Sequence, residues 1–488
     1  MIMVLPDRLT KDPRGRSVAI GAAVGLLGGV LALLVVLAGP VMAFGAVIGL
    51  AVALVVLTDL HAAFYIMLAV VALLPFGTFP FQIAVTPTLL DGVLGGFFGV
   101  YLLQWMTGQR RLFRTTPVTP VVIGFIGIML FAFLMGLRHA PLSSRVLRSV
   151  AEMVLSLLLA IVLVDVMRSA AMLRRAVLAL AIWGSLAAVI GIILWALPDM
   201  TAESLLNRLG RLGYPVGGVI RYRETPGALL NERAIGAWID PNAFGGFLLM
   251  IGAVISPQVF SRRPVAHRRI AALMLAAVVV ALFLTDSRGS MLSLGAALVF
   301  IAALRYRRLL LIMILAAGLA FFLPVTQRYI DKLEAGLTGQ DVETQMRFGE
   351  YRDALTLINR HPVIGVGFSG TPEIDLYLGV ANTYLTIASH AGFVGLAAYL
   401  LMIGSAFGYG AYHYRIIRAD PDIADIWLGL AAGMVGIMAG GMFDHFYFNI
   451  EQFHATMTLV WIIMGLMLAA TRLAVERKAN AAAEEIGT

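Results

Sequence analysis

Long apolar runs broken by short polar turns set the rhythm of this chain. Runs such as IAALMLAAVVVALFL and MLSLGAALVFIAAL are apolar on every face. A helix of that kind lies buried in protein or in lipid. About 20 such residues cross a bilayer. Helices are expected to begin near Ser17, Val41, Ala62, Thr88, Thr119, Leu147, Leu173, Gly236, Arg269, Met291, Leu309, Asn382, Ile423 and Phe453. The pattern predicts an all-α polytopic membrane protein of about 14 transmembrane helices. Gly21, Gly25 and Gly29, four residues apart, suit close helix packing. The basic stub MIMVLPDRLTKDPRGR leads into a long apolar run without a clear cleavage site, which reads as a first membrane helix. Residues 1–475 read as a single integral membrane domain and residues 476–488, charged and Ala-rich, as a flexible cytoplasmic tail.

Composition agrees. The 488 residues are 60% hydrophobic and 13% charged, with a mean hydropathy of +0.90. A soluble fold would leave much of that apolar surface in water. The chain has no cysteine, which excludes disulfides, thiolate zinc sites and cysteine nucleophiles. Its net charge of +8 falls in short loops between apolar runs, so it marks topology and not a nucleic-acid face.

Those loops fix an expected orientation. Arg8, Lys11, Arg14 and Arg16 place the N-terminus inside. Alternate loops are then basic as well: Arg110, Arg111 and Arg114, then Arg168, Arg174 and Arg175, then Arg262, Arg263, Arg268 and Arg269. Arg305, Arg307 and Arg308 continue the series, followed by Arg415 and Arg418. Both termini are therefore expected in the cytoplasm. Two long loops, about 198–235 and 326–381, are expected outside.

The outward segments carry the candidate chemistry. The first long loop brings Arg221, Arg223 and Arg233 to a helix that opens with Asp240, Pro241 and Asn242. The turn Thr285–Ser290 reads TDSRGS. The second long loop reads QMRFGEYRDALTLINRHPVIGVGFSG, an amphipathic helix with Phe348, Tyr351, Ala354, Leu355 and Ile358 on its apolar side. Arg347 and Tyr351 share a face at i, i+4. Pro362 should end that helix, and Gly365 and Gly367 form a flexible turn. Arg138, Arg145 and Arg148 read as an external basic cluster with no nearby acid, and Asp91, Asn382, Asp444 and His445 are further polar residues of the outer face.

Arg288 has two readings. An arginine in hydrocarbon costs about 3 kcal/mol on insertion scales, less at a helix end. It either pairs with Asp286 and caps a hairpin, or joins Arg221, Arg233 and Arg347 around an anion from the outer leaflet. Guanidinium forks match phosphate oxygens in pairs, and a diphosphate takes more than one. Neither a HExxH metal motif nor a Walker loop is present. The reaction would therefore run on an activated substrate or on a gradient, without cofactor or metal.

The order of motifs resembles the bacterial O-antigen ligase/polymerase family of Wzy-like integral membrane glycosyltransferases. The similar elements are RAIGAWIDPNAFGGF, TDSRGSML, RFGEYRDALTLINRHPVIGVGFSG and NTYLTIASHAGFVGLAAYL, over about 221–401. The resemblance implies a GT-C-like, metal-independent enzyme in the bacterial cytoplasmic (inner) membrane, with its active site extracytoplasmic. It implies transfer of an oligosaccharide from undecaprenyl diphosphate to a glycan acceptor. That acceptor is another lipid-linked repeat unit for a polymerase, or lipid A-core for a ligase. Implied partners are the polyprenyl-diphosphate-linked glycan, membrane lipid, and export or chain-length proteins. Carried onto this chain, the family's diphosphate-holding arginines are Arg233, Arg288 and Arg347, with Arg221 and Arg223 widening the basic rim. Ala381 stands before Asn382 where the ligase branch has a His, which favours a polymerase.

An attacking sugar hydroxyl benefits from a general base. Asp240, Asp286, Glu350, Asp375 and Asp444 are the available carboxylates, and Asp240, next to Arg233, is the first choice. Each serves equally well as an ion pair or helix cap. Asn242, Tyr351 and Asn382 are candidate substrate contacts. Trp238, Tyr351 and Tyr384 stack on sugars or anchor the interface. His390 reads as packed or hydrogen-bonded within its helix. The rival class is a flippase or exporter of lipid-linked sugars, though a carrier places polar groups near mid-membrane. Only Asp165 approaches that description.

Overall fold

The computed structural model describes residues 29, 47–79, 86–139, 141–216, 222–223, 231–322, 342–369, 380–449 and 452–487. Helices start where apolar runs start. They are α1 (Val47–Thr58), α2 (Leu60–Leu73), α3 (Leu89–Met106), α4 (Thr119–Gly136), α5 (Ser144–Val166) and α6 (Ala170–Ala196). A short α7 (Asp199–Arg208) and a two-residue antiparallel pairing of β1 (Tyr222–Arg223) with β2 (Asn231–Glu232) follow. Next come α8 (Pro241–Phe260), α9 (Arg268–Leu284), α10 (Arg288–Leu304), α11 (Arg307–Phe321) and α12 (Val342–Arg360). The last are α13 (Thr383–Tyr412), α14 (Tyr414–Ala419), α15 (Ala424–Gly440) and α16 (His454–Gly487).

Twelve of the expected starts, from Ala62 to Phe453, lie within five residues of an observed one. The amphipathic helix of the second long loop is α12. Among the described residues, seven helices are long and apolar enough to cross a bilayer: α3, α4, α5, α6, α8, α13 and α16. The helices α1, α2, α10 and α15 are apolar but shorter. The tail expected to be flexible is helical to Gly487, because Ala, Glu and Lys favour helix and α16 simply continues.

The chain divides into two compact units, Met1–Phe64 with Gly95–Thr107, and Tyr65–Leu94 with Gly108–Thr488. In the first, the rings of Phe64 and Phe97 meet at 6.4 Å. In the second, α8 and α16 are almost wholly enclosed, α8 by α6, α9, α10 and α15, and α16 chiefly by α5 and α15. Gly429 of α15 sits so close to α8 that a Cβ would lie 2.6 Å from the Val254 carbonyl oxygen. Ile182, Leu186, Val189 and Ile193 of α6 stay exposed on one face, a stripe suited to lipid.

Several buried charges are paired, as a low-dielectric interior favours. Asp165 bonds Arg110 at 2.8 Å and the Arg114 amide at 3.1 Å, so it is an anchored ion pair. Arg148 is not the acid-free cation expected from the sequence. Its Nε lies 3.1 Å from Glu152 and 3.9 Å from Asp91, and Nη1 donates to the Thr86 carbonyl. Glu152, 2% exposed, meets His454 Nδ1 at 2.5 Å from the other side.

The Pro-Gly-x-Gly segment has a structural explanation. Gly392, at φ 67°, breaks α13 in mid-course. The segment after α12 enters the break. Ser389 and His390 carbonyls accept from the Val366 and Gly367 amides at 2.9 and 2.8 Å. The Phe393 and Val394 amides donate to Pro362 and Val363 carbonyls at 2.7 and 3.3 Å. A broken membrane helix must find such partners, since lipid supplies none. The interlock fixes the end of α12 against α13.

Candidate active site

Four separate segments converge on one cavity of about 280 Å³. Its walls include Asn242 of α8, Asp286 to Ser290 of the TDSRGS turn, Arg347 and Tyr351 of α12, and Phe443, Asp444 and Tyr447.

The TDSRGS turn is built from its own polar atoms. Thr285 Oγ1 donates to the Leu282 carbonyl at 2.6 Å and accepts from the Ser287 amide at 3.3 Å. Asp286 takes φ 52°, a region few non-glycine residues enter. That step begins the first turn of α10, whose residues Ser287 to Ser290 line the cavity at a helix N-terminus. Ser287 Oγ and Ser290 Oγ bond each other at 2.9 Å on its wall. Gly245 of α8 admits this turn, since a Cβ there would stand 2.8 Å from Ser290 Oγ.

Helix α12 docks through one face. Arg347 Nη1 donates to the Phe443 carbonyl at 2.6 Å, and Nη2 lies 3.9 Å from Asp444 Oδ2. Glu350 accepts the Ala381 amide at 2.9 Å, and Tyr351 OH donates to the Ala381 carbonyl at 3.3 Å. Glu350 is thereby a docking residue. The turn after α15 is held from α13. Asn382 Nδ2 donates to the Met442 carbonyl at 3.1 Å, while Oδ1 caps Tyr384 and Leu385 amides at 2.9 and 3.0 Å. The Thr383 hydroxyl donates to the Asp444 carbonyl at 2.9 Å. His445 lies beside Asp444, with Nδ1 3.5 Å from Oδ1. Burial, then the Arg347 charge, holds the His445 imidazole down at about 4, so it is neutral at pH 7. Burial chiefly raises the Tyr351 phenol above its ordinary value, with the Arg347 charge opposing.

The expected site residues therefore separate. Arg288, Arg347, Asn242 and Tyr351 share the cavity. Arg233 lies one contact behind it: Nε donates to the Thr285 carbonyl at 2.7 Å and Nη2 to Asn242 Oδ1 at 2.6 Å. It ties the turn to the start of α8. Asp240 is outside the cavity lining. Its Oδ1 accepts the Ala243 amide at 2.7 Å and Pro241 follows, the arrangement of an N-cap. Asn382 is likewise a cap and clamp outside the lining. Trp238 is buried, stacked on Phe247 at 4.7 Å, and bonded to the Ala72 carbonyl. Tyr384 OH donates to the Met438 carbonyl at 2.7 Å. His390 bonds the Gly367 carbonyl. Arg221 and Asp375 lie outside the described residues, and Arg223 is described only as part of β1.

The sequence reading undervalued the turn GGMFDHFY after α15. It supplies Gly440, Phe443, Asp444 and Tyr447 to the wall. A Gly-rich polar turn between apolar helices is the same signal that singled out TDSRGS.

Residues 271–400 match the O-antigen ligase family model. That match supports an O-antigen ligase/Wzy-like family, as the motifs indicated. The matched segment carries Arg288, Arg347, Tyr351 and Asn382, while Asn242 precedes it and Asp444 follows it. It supports a glycan-transfer role in cell-envelope synthesis for a multi-pass membrane protein of glycosyltransferase type. No curated protein matches the chain. One chain of a solved structure, described as "Structural coordination of polymerization and crosslinking by a peptidoglycan synthase complex", is similar at 15% identity. The similarity covers 72% of this chain and 97% of that one with a TM-score of 0.39, too low to carry an argument.

Proposed function

We propose that the cavity grips the diphosphate of an undecaprenyl-diphosphate-linked glycan, and that the protein transfers this glycan to a second glycan as a Wzy-like polysaccharide polymerase. The observation behind it is the meeting of Arg288 and Arg347, from distant segments, at one cavity with the N-terminus of α10. A cavity of about 280 Å³ lies at the small end of ligand pockets, which suits a headgroup more than a whole glycan. The arrangement belongs to a chain of about fourteen spans with both termini cytoplasmic, the cavity at the outer face of a bacterial inner membrane.

Chemistry follows from the geometry. Arg288, Arg347 and the α10 amides stabilise the charge that grows on the diphosphate as the glycosidic C–O bond breaks. Arg233 positions Asn242 and the turn. The acceptor hydroxyl attacks from the opposite side and inverts the anomeric centre, without a metal. Asp444 takes the hydroxyl proton, because it lines the cavity and Arg347 stands beside it, with Asp286 second. Asp240 gives up its place as first choice to them, since its carboxylate is committed to the α8 cap. Ala381 in place of the ligase His favours polymerisation over ligation to lipid A-core. The burial of Asp165 in an ion pair removes the mid-membrane acid that a flippase reading would use.

The test is a carboxylate comparison with purified protein, lipid-linked oligosaccharide and acceptor. Asp444→Asn should lower kcat by about 10²-fold or more, whereas Asp240→Asn should lower stability and leave most of kcat. The reverse pattern overturns the assignment.

A further inference from the structure

A second basic recess lies at the other end of α10. That helix has 17 residues, so about 25 Å separates its two ends. The recess has a volume of about 610 Å³ and lies where α10, α11 and α14 meet. Its lining includes Arg305, Arg307, Arg308 and Arg418.

One arginine is committed to the floor. Arg305 Nε meets Asp425 Oδ1 at 2.9 Å, and Tyr306 OH donates to the same oxygen at 2.7 Å. Phe260 packs on the Tyr306 ring at 5.5 Å. The floor is thus rigid and electrically balanced. The rim is not. Among the described residues, Arg307, Arg308 and Arg418 have no acidic partner within ion-pair distance. Asp420 and Asp422, which follow Arg418 in the chain, are held instead by Arg477 and Arg263. Among the described residues, three guanidinium groups therefore line one recess with no acidic side chain at ion-pair distance from them, an arrangement that asks for an anion.

An apolar track leaves the same rim. Leu311, Ile314 and Leu315 of α11 are each at least 60% exposed. They follow Arg307 and Arg308 at helical spacing, so one face of α11 runs from cations to bare hydrocarbon. A free phosphate uses only the first part of that face. An amphiphile uses both.

We propose that this recess holds the phosphate headgroup of an anionic phospholipid, with its acyl chains lying along Leu311, Ile314 and Leu315. The site is separate from the cavity at Arg288 and does not depend on the function proposed for it. Basic pockets between membrane helices take such headgroups.

The test uses the full-length protein in neutral detergent. Bound molecules are counted by native mass spectrometry during titration with phosphatidylglycerol, phosphatidylcholine or inorganic phosphate. Phosphatidylglycerol should bind about tenfold or more tightly than phosphatidylcholine. Each arginine at such a surface is worth about fivefold in binding, so R307Q/R308Q/R418Q should weaken phosphatidylglycerol by about a hundredfold. If that variant aggregates, R307Q and R418Q alone should each lose about fivefold. Arg415 is exposed just before Arg418 but outside the lining, and R415Q should bind within about twofold of the unchanged protein. Inorganic phosphate that displaces phosphatidylglycerol at equal concentration keeps the anion site but overturns the lipid track. Unchanged lipid binding by the triple variant, or an equal loss in R415Q, overturns the proposal.

Discussion

Gly367→Ala probes the interlock that positions α12. Gly367 sits at φ 80°, where an L side chain costs about 1–2 kcal/mol. Its new Cβ would press on the Gly136 Cα and lie 2.6 Å from the Gly136 nitrogen and 2.7 Å from the Ala132 carbonyl oxygen. All three are backbone atoms and cannot swing aside, so the loop must retreat. Retreat breaks the Gly367 and Val366 amide bonds to His390 and Ser389, each worth about 1–3 kcal/mol once its groups are left buried and unpaired. The expected loss is about 3–8 kcal/mol in total. Gly349 is the control. It lies within α12 with open space where a Cβ would go, so Gly349→Ala should gain up to about 1 kcal/mol. The assay is thermal unfolding of the purified proteins in one detergent, with hydrogen exchange at the Phe393 amide. G367A should melt well below the parent and expose that amide, and G349A should melt at or above it. A G367A protein that melts with the parent and keeps Phe393 protected refutes the reasoning.

Other consequences concern buried charge. Glu152→Gln removes the anion between Arg148 and His454, and breaking a buried pair costs about 3–5 kcal/mol; unchanged thermal stability would show that the pair carries no net charge attraction. His445 gives a pH signature. Its value falls from 6.5 to about 4 on folding, so the unfolded chain binds more protons between those limits. Stability is then complete above about pH 6.5 and lost as pH falls toward 4, by about 3 kcal/mol at most. His445→Gln should flatten that acid limb in pH-dependent melting, and an identical limb in both proteins would assign it to other groups.

Much of the scaffold was legible because membrane helices announce themselves. An apolar run long enough to cross lipid leaves few alternatives, and twelve helix starts from Ala62 onward fell within five residues. Arg288 and Arg347 were legible for the same reason, since a guanidinium is costly in so greasy a chain. At Asp240 the local signal for a cap was complete. Asp followed by Pro at a helix start is an N-cap before it is anything else. The remaining features depend on contacts distant in sequence. Nothing near Gly392 says that residues 362–367 fill its break, and nothing near Arg148 names His454 behind Glu152. The second basic recess was hidden because its arginines double as topology signals, and only packing shows that Asp420 and Asp422 are already engaged.

The most direct measurement is release of polyprenyl diphosphate by the purified protein from a polyprenyl-diphosphate oligosaccharide, with longer glycan as the second product. Arg288→Lys and Arg347→Lys keep the charge and lose the fork, and each should slow release by about 10²-fold while melting near the parent. Full-rate release by both variants, or movement of the lipid between leaflets with no transfer, would contradict a diphosphate held by converging guanidinium groups.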